Sequence, residues 1–259
     1  MTLHSAIVGH HAGLAFDSIA EQYDDIFTRS LVGRAQRDAV WEVLRQTFQR
    51  GDRILELNCG TGEDALFLAG LGLSVLACDA SEKMISFACR RQAREAPQSA
   101  VQFQVLSTEQ LAELTTFAPF DGAFSNFSGL NCVADLGSTA RQLSLLVKPG
   151  GRALLCLSSR VCLWETMWYL AQRDPKRAFQ RWKGQTIAAL GDVPVEVRYP
   201  TVRDLRNLFS PFFALRGWKG IGVAVPPSYL EHVAKDHEVG LHRLQRLDRV
   251  LLSLERTQA

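Results

Sequence analysis

Arg53-Ile54-Leu55-Glu56-Leu57-Asn58-Cys59-Gly60-Thr61-Gly62-Glu63-Asp64-Ala65 runs from a strand, through two glycines, into the start of a helix. Ile54 to Leu57 is apolar except for Glu56, the pattern of a buried strand. Gly60 and Gly62 carry no Cβ, so the backbone can turn tightly there and approach a ligand closely. The helix that opens after Gly62 directs unpaired N–H groups at whatever occupies the crevice. Glu56, near the carboxyl end of the strand, offers a carboxylate to a cation. The stretch therefore predicts a cleft for a ligand that has both a sugar-like portion and a cationic centre.

Upstream, Val40, Trp41, Leu44 and Phe48 share one helical face and Gly51 follows as a stop signal; Phe16 to Phe27 is also amphipathic. Downstream, strand and helix signals alternate. Ser74 to Cys78 reads as a strand ending at Asp79, and Ser81 caps a helix that runs to about Arg94 and stops before Pro97. Val101 to Leu106 and Asp121 to Ser125 read as strands and Leu136 to Val147 as a helix. The turn Lys148-Pro149-Gly150-Gly151 leads to a further strand, Arg152 to Leu157. Such alternation implies parallel pairing in a doubly wound sheet. From Val161 the rhythm changes to one long aromatic and basic helix reaching Trp182, then a strand at 193–199, a short helix at 201–209 and a strand-like stretch at 213–225. A helix at 229–244 and a final antiparallel strand at 249–255 complete the expectation.

The chain has 259 residues, enough for one large α/β domain with a modest cap. Net charge is +2, which offers no electrostatic reason to expect nucleic acid. The six cysteines are scattered, with no C-x-x-C pair and no histidine cluster at metal spacing, so a reduced, cytoplasmic protein without a metal site is expected. No stretch suits a membrane span, and Met1 to Gly13 lacks the organisation of a signal peptide; His4, His10 and His11 are read as part of a frayed end.

Two cofactor classes fit the glycine turn. Gly60-x-Gly62-x-x-Ala65, with Asp79 downstream, matches the dinucleotide fingerprint of an NAD(P)-dependent oxidoreductase. Against this, the turn follows some fifty residues of helical preface, and Glu56 sets a negative charge where a pyrophosphate would lie. The same glutamate suits the α-amino group of S-adenosylmethionine, which also carries a ribose.

Ile54 to Gly62 resembles the first motif of class I S-adenosylmethionine-dependent methyltransferases. Asp79 is similar to the acid ending their second strand, Phe120 to Asn126 to their fourth-strand motif, and Leu146 to Arg152 to the turn into their fifth strand. The four motifs cover roughly Gln49 to Leu157, and with the pair Tyr23-Asp24 they resemble the small-molecule, quinone-biosynthesis branch. The resemblance implies a Rossmann-like, mostly parallel seven-stranded sheet with an antiparallel final strand. Residues 1–50 would form a helical lid, 51–160 the cofactor-binding core, and 161–259 a helical cap and remaining sheet elements of the same domain. It further implies that Glu56 meets the methionine amine and that Asn58, Cys59, Gly60, Thr61 and Gly62 pass close to the methionine and ribose. Asp79 would accept the ribose hydroxyls, Ala80 and Met84 would face adenine, and Ser107, Thr108 and Glu109 would reach the adenine edge. Asn126 and Phe127 would lie beside the sulfonium. The family usually has an acid at Ser107 and a glycine at Asn58, so Glu109 is the alternative contact to the adenine amine.

Methyl transfer from a sulfonium is an in-line displacement in which holding the acceptor dominates, and a base is needed only for an acceptor that must lose a proton. No catalytic residue is assigned; Asn126, Phe127 and Tyr23 are positioning candidates. Ser128, Asn131, Trp164 and Trp168 are candidates for the acceptor pocket, the two tryptophans sharing a helical face. The expected activity is methyl transfer to a small, partly apolar molecule, with S-adenosylhomocysteine as product. The alternatives are the oxidoreductase and a non-catalytic protein that binds S-adenosylmethionine and serves a partner. The sequence identifies neither the acceptor atom nor the oligomeric state.

Overall fold

The computed structural model describes residues 3–223 and 225, with side chains from Ala12 onward. Its centre is β1 (Arg53–Leu57), whose last four residues are all buried. β1 is flanked by β2 (Ser74–Asp79) and β4 (Phe120–Ser125), and β3 (Val101–Val105) and β5 (Val147–Leu155) lie outside them. The order β3-β2-β1-β4-β5 is parallel throughout. The strand order therefore reverses beside β1, and the crevice at this switch point is where open α/β sheets bind ligands.

Period-two alternation along β1 divides its side chains between two cores. Ile54 packs with Leu44, Phe48, Leu68 and Ile85 beneath α2 (Leu31–Thr47), α3 (Glu63–Gly70) and α4 (Glu82–Glu95). Leu55 and Leu57 pack with Leu111, Leu130 and Leu143 beneath a 3-10 helix (Thr108–Phe117) and α5 (Leu136–Leu146). Local chemistry sets the helix starts. Ser30 accepts from Gly33 N, Ser81 from Met84 N and Asp135 from Ser138 N, each satisfying a first-turn donor.

Several expectations are corrected. Among the described residues the parallel sheet has five strands, and the expected seven-stranded sheet is not seen there. Val193–Arg198 (β7) pairs antiparallel with Gln185–Leu190 (β6), a strand not expected from the sequence, in a separate two-stranded sheet. A two-residue Gly191-Asp192 turn satisfies this ladder locally, with Gly191 at φ 58. Phe213 to Ile221 forms no strand; Arg216-Gly217 and Lys219-Gly220 interrupt its apolar pattern. The expected helix at 229–244 and final strand at 249–255 lie outside the described residues.

The single long helix after Val161 is three pieces: α6 (Leu163–Ala171), α7 (Pro175–Ala178) and a 3-10 turn (Gln180–Lys183). Pro175 disfavours helical backbone in Asp174, whose side chain instead caps α7, and Arg173 takes φ 59. Lys148 to Gly151 lies within β5 as an irregularity of register against β4. The expected frayed end is helical: α1 spans Leu3–Tyr23 and continues into a π-turn, Asp24–Thr28. After β7, Thr201 and Asp204 form a capping box that opens α8 (Val202–Phe209).

Candidate functional site

The loop from β1 to α3 is held by its own backbone. Asn58, Gly60 and Gly62 have φ of 55, 55 and 79. Glycine suits two of these positions. A Cβ on Gly62 would stand 2.7 Å from the Phe103 ring and 2.9 Å from the Ala88 methyl, so helix and strand close up only because it is absent. Asn58 is among the residue types that enter the left-handed region most readily, and its amide is held by distant partners, donating to Thr108 Oγ1 (3.3 Å) and accepting from Ser125 Oγ (3.2 Å).

Asp79 ends β2 beside this loop, where Leu57 of β1 is in register with Cys78. Its carboxylate accepts from Gly60 N and from Ser81 N, both at 2.9 Å, and so ties the loop to the start of α4. Burial nevertheless raises its pKa, against the lowering effect of those backbone N–H groups. Glu56 is more extreme. It is 1% exposed, its Oε2 has no hydrogen-bond partner, and burial, helped by the Asp64 charge, holds its carboxyl well above the ordinary range despite Arg37. A buried acceptor left without a donor is costly, and a cation supplied from outside would relieve it.

The adjoining cleft is lined by residues from the glycine loop, α1, α2 and the 3-10 helix of residues 108–117, and by residues following β2 and β4. Asn58, Cys59, Gly60, Thr61, Asp79, Ala80, Met84, Thr108, Glu109, Asn126, Phe127 and Tyr23 all line it. Gly62, Glu56 and Ser107 do not: Gly62 is pressed against Phe103, Glu56 is buried in β1, and Ser107 caps the 3-10 helix. Glu109 Oε1, like Glu56 Oε2, is buried without a partner.

Of the four acceptor-pocket candidates, the structure brings none onto this cleft. Ser128 bonds Ser158, and Asn131 is fully buried, its amide bonding Ser158 and the Arg198 carbonyl. Asn131 is therefore a structural clamp. Trp164 and Trp168 share a face of α6, away from the lining. Gly129, Cys132 and Val133 line that side of the cleft in their place.

A buried ionic cluster not expected from the sequence joins α2, α3 and the end of β4. Asp64 accepts from Arg37 (3.2 Å), Trp41 Nε1 (2.6 Å) and Asn126 (2.9 Å). Arg37 lies 4.9 Å from the Phe127 ring centroid and 5.8 Å from that of Phe27. The signal was present: Arg37 interrupts the apolar face of α2 on which Val40, Trp41 and Leu44 lie. Phe127 and Ser128 take φ of 47 and 67, a conformation non-glycine residues rarely adopt, and it is found beside the cleft.

α1 and the turn after it close the remaining side. Gly13 of α1 approaches so closely that a Cβ there would stand 2.6 Å from the Ala80 carbonyl oxygen. Asp17 accepts from Ser81 Oγ and Lys83 N. Asp24 accepts from Thr61 Oγ1 (2.7 Å) and pairs with Arg91, which also pairs with Glu63. Tyr23 stands over Gly60, its phenol pushed up to about 12, chiefly by burial, which favours the neutral phenol. All six cysteines are free thiols; those of Cys59, Cys78, Cys132 and Cys156 are pushed up mainly by burial, which disfavours thiolate. Among the described residues no cluster could hold a metal ion, and no helix is long and apolar enough to cross a membrane.

A protein-family profile described as a methyltransferase domain matches residues 54–151. Demethylmenaquinone methyltransferase of Clavibacter sepedonicus is 32% identical over 148 residues, 54% of this chain and 55% of that protein. The 2-phytyl-1,4-naphtoquinone methyltransferase of Synechococcus elongatus is 31% identical over 143 residues, 54% and 60% respectively. The chain thus spans little more than half the length of these curated relatives. In fold it is similar to DhpI in complex with S-adenosylhomocysteine, at TM-score 0.56 and 21% identity over 82% of this chain and 89% of that one. It is also similar to phosphoethanolamine N-methyltransferase 2 of Haemonchus contortus, at TM-score 0.58 and 16% identity over 92% and 51%. The segment from Ile54 to Gly151, which holds the glycine loop and the acid closing β2, is therefore similar to a methyltransferase domain.

Proposed function

We propose that the chain transfers a methyl group from S-adenosylmethionine to a small, partly apolar acceptor, with a reduced quinone ring as the favoured class. The observation that carries this is the pair of buried carboxylates on adjacent parallel strands, Glu56 on β1 and Asp79 on β2, separated by the Asn58–Gly62 loop. Glu56 Oε2 has no donor in the protein and suits an ammonium. Asp79, which organises the loop through Gly60 N, suits vicinal ribose hydroxyls. The orphan Glu109 Oε1 suits the adenine amine, and Ala80 and Met84 supply an apolar wall for its ring. Arg37, which lines the cleft beside Phe127, suits the methionine carboxylate. A dinucleotide suits the cleft less well, because the Asp64 carboxylate in its lining would disfavour a pyrophosphate.

When bound, the cofactor supplies an electrophilic methyl group on a good leaving group. The chain's own work is orientation and exclusion of water. Asn126 is fixed by Asp64 and by Phe127 N, and it holds the Phe127 backbone in its left-handed turn. Phe16, Tyr23 and Phe127 give the cleft aromatic walls, and α1 seals it at Ala80. The quinone preference rests on the acceptors named in the two methyltransferase relatives and on this aromatic lining. Calorimetry with S-adenosylhomocysteine against NADH and NADPH tests the cofactor. Mass spectrometry of demethylated naphthoquinols incubated with the chain and S-adenosylmethionine tests the acceptor. Binding of a nicotinamide cofactor in place of S-adenosylhomocysteine would overturn the proposal, and binding without turnover would favour the non-catalytic alternative.

A further inference from the structure

α6 is turned inside out for a helix at a water-facing surface. Leu163, Met167 and Leu170 recur at helical spacing on its outward side, 59%, 68% and 46% exposed, with exposed Ala171 beside them. The helix's acid, Glu165, points the other way, buried and bonded to Gln180 and Arg181. Past the helix, Trp182 is 53% exposed. The surrounding charge is one-sided. Residues 161–190 contain five Lys or Arg and two Asp or Glu. Of the two acids, Glu165 is buried and Asp174 caps α7 while pairing with Arg177. Arg173, just past α6, and Lys176 and Lys183, on the two short helical pieces that follow it, are exposed.

An outward apolar stripe fringed by cations has the composition of a helix that lies in a membrane interface, its apolar side among acyl chains and its basic residues at anionic headgroups. A second copy of the chain is a poorer occupant, because a two-fold contact on this face would bring Arg173, Lys176 and Lys183 against their own counterparts. We propose that the outer face of α6, with Trp182 beside it, docks this chain on an anionic lipid bilayer without crossing it. The proposal is independent of which acceptor the cleft takes.

The test is co-sedimentation of the full chain with vesicles of phosphatidylcholine alone or mixed with phosphatidylglycerol. The expected result is at least about tenfold tighter binding to the anionic vesicles, weakening as salt is added. Met167→Glu should weaken binding to both vesicle types by at least about tenfold, since it sets a charge among acyl chains. Its melting temperature should be unchanged, because the side chain is already exposed. The Lys176→Glu/Lys183→Glu pair should remove only the preference for phosphatidylglycerol. Trp182→Phe should reduce quenching of tryptophan fluorescence by brominated lipid. Absence of vesicle binding by the full chain would overturn the proposal, as would undiminished binding of the Met167 variant. So would sedimentation velocity showing that Met167→Glu splits a dimer while leaving lipid binding untouched.

Discussion

Replacing Glu56 by Gln separates what this residue does for the fold from what it does for the ligand. The side chain is 1% exposed, Oε2 has no donor, and burial lifts its pKa well above the ordinary carboxylate range. Between the ordinary carboxylate pKa and the raised one, the folded, empty protein therefore holds a proton there that the unfolded chain releases. The sign follows: this group's contribution to stability is fully present below the ordinary carboxylate pKa and is lost as pH rises toward the raised value. For one group the loss is at most about 1.4 kcal/mol per pH unit. Asp79, also raised by burial, adds a slope of the same sign.

Gln keeps the shape and cannot ionise, so Glu56→Gln removes this residue's share of the slope. Urea denaturation across a buffer series rising from the ordinary carboxylate pKa should find the variant equal to or more stable than the parent, with the gap widening until the raised value is passed. Binding moves the other way. A charge-assisted hydrogen bond to an ammonium contributes about 1.5–3 kcal/mol, so affinity for S-adenosylhomocysteine should fall roughly ten- to hundredfold. In the parent, binding must also expel the proton, so affinity should rise with pH below the free-state pKa, and calorimetry in buffers of different ionisation enthalpy should detect proton release. Unchanged affinity in the variant would refute the amine contact. A variant less stable than the parent at alkaline pH would refute the account of the buried acid.

Asp79→Ala should weaken S-adenosylhomocysteine binding at least about tenfold and also lower the melting temperature, because Gly60 N and Ser81 N both lose their acceptor; unchanged calorimetric affinity would remove the ribose assignment. Gly62→Ala meets Phe103 and Ala88 at contacts under 3 Å with φ at 79, so a cost of about 1–3 kcal/mol is expected in urea denaturation, and an unshifted midpoint would contradict the packing described. Arg37→Met strips a 5%-exposed Asp64 of its cation, and breaking such a buried pair costs about 3–5 kcal/mol. Adding Asp64→Asn should recover part of that loss, and strict additivity of the two variants would show that the pair is not coupled.

Much of the fold could be read along the chain because its signals are local. Ile54 to Leu57, the glycines after it, Asp79 at the end of β2 and the caps Ser81 and Asp135 each declare themselves within a few residues, and each parallel strand follows from them. The cap was harder. Three short helical pieces read as one helix because the aromatic and basic pattern continues through Asp174-Pro175, and β6 escaped notice although Gly191-Asp192 is a hairpin signal.

By itself, then, the sequence determined the alternating strands and helices of the parallel core and the glycine loop, since periodicity, turn chemistry and capping act over a few neighbouring residues. Only the tertiary structure decided which side chains meet in the cleft. Arg37, Trp41, Asp64 and Asn126 come from α2, α3 and the end of β4, and their bonds join residues up to 62 positions apart. Asn131 became a clamp and Trp164 and Trp168 fell outside the cleft for the same reason. Burial, desolvation and charge pairing depend on what the fold brings from far along the chain, and no local pattern encodes that.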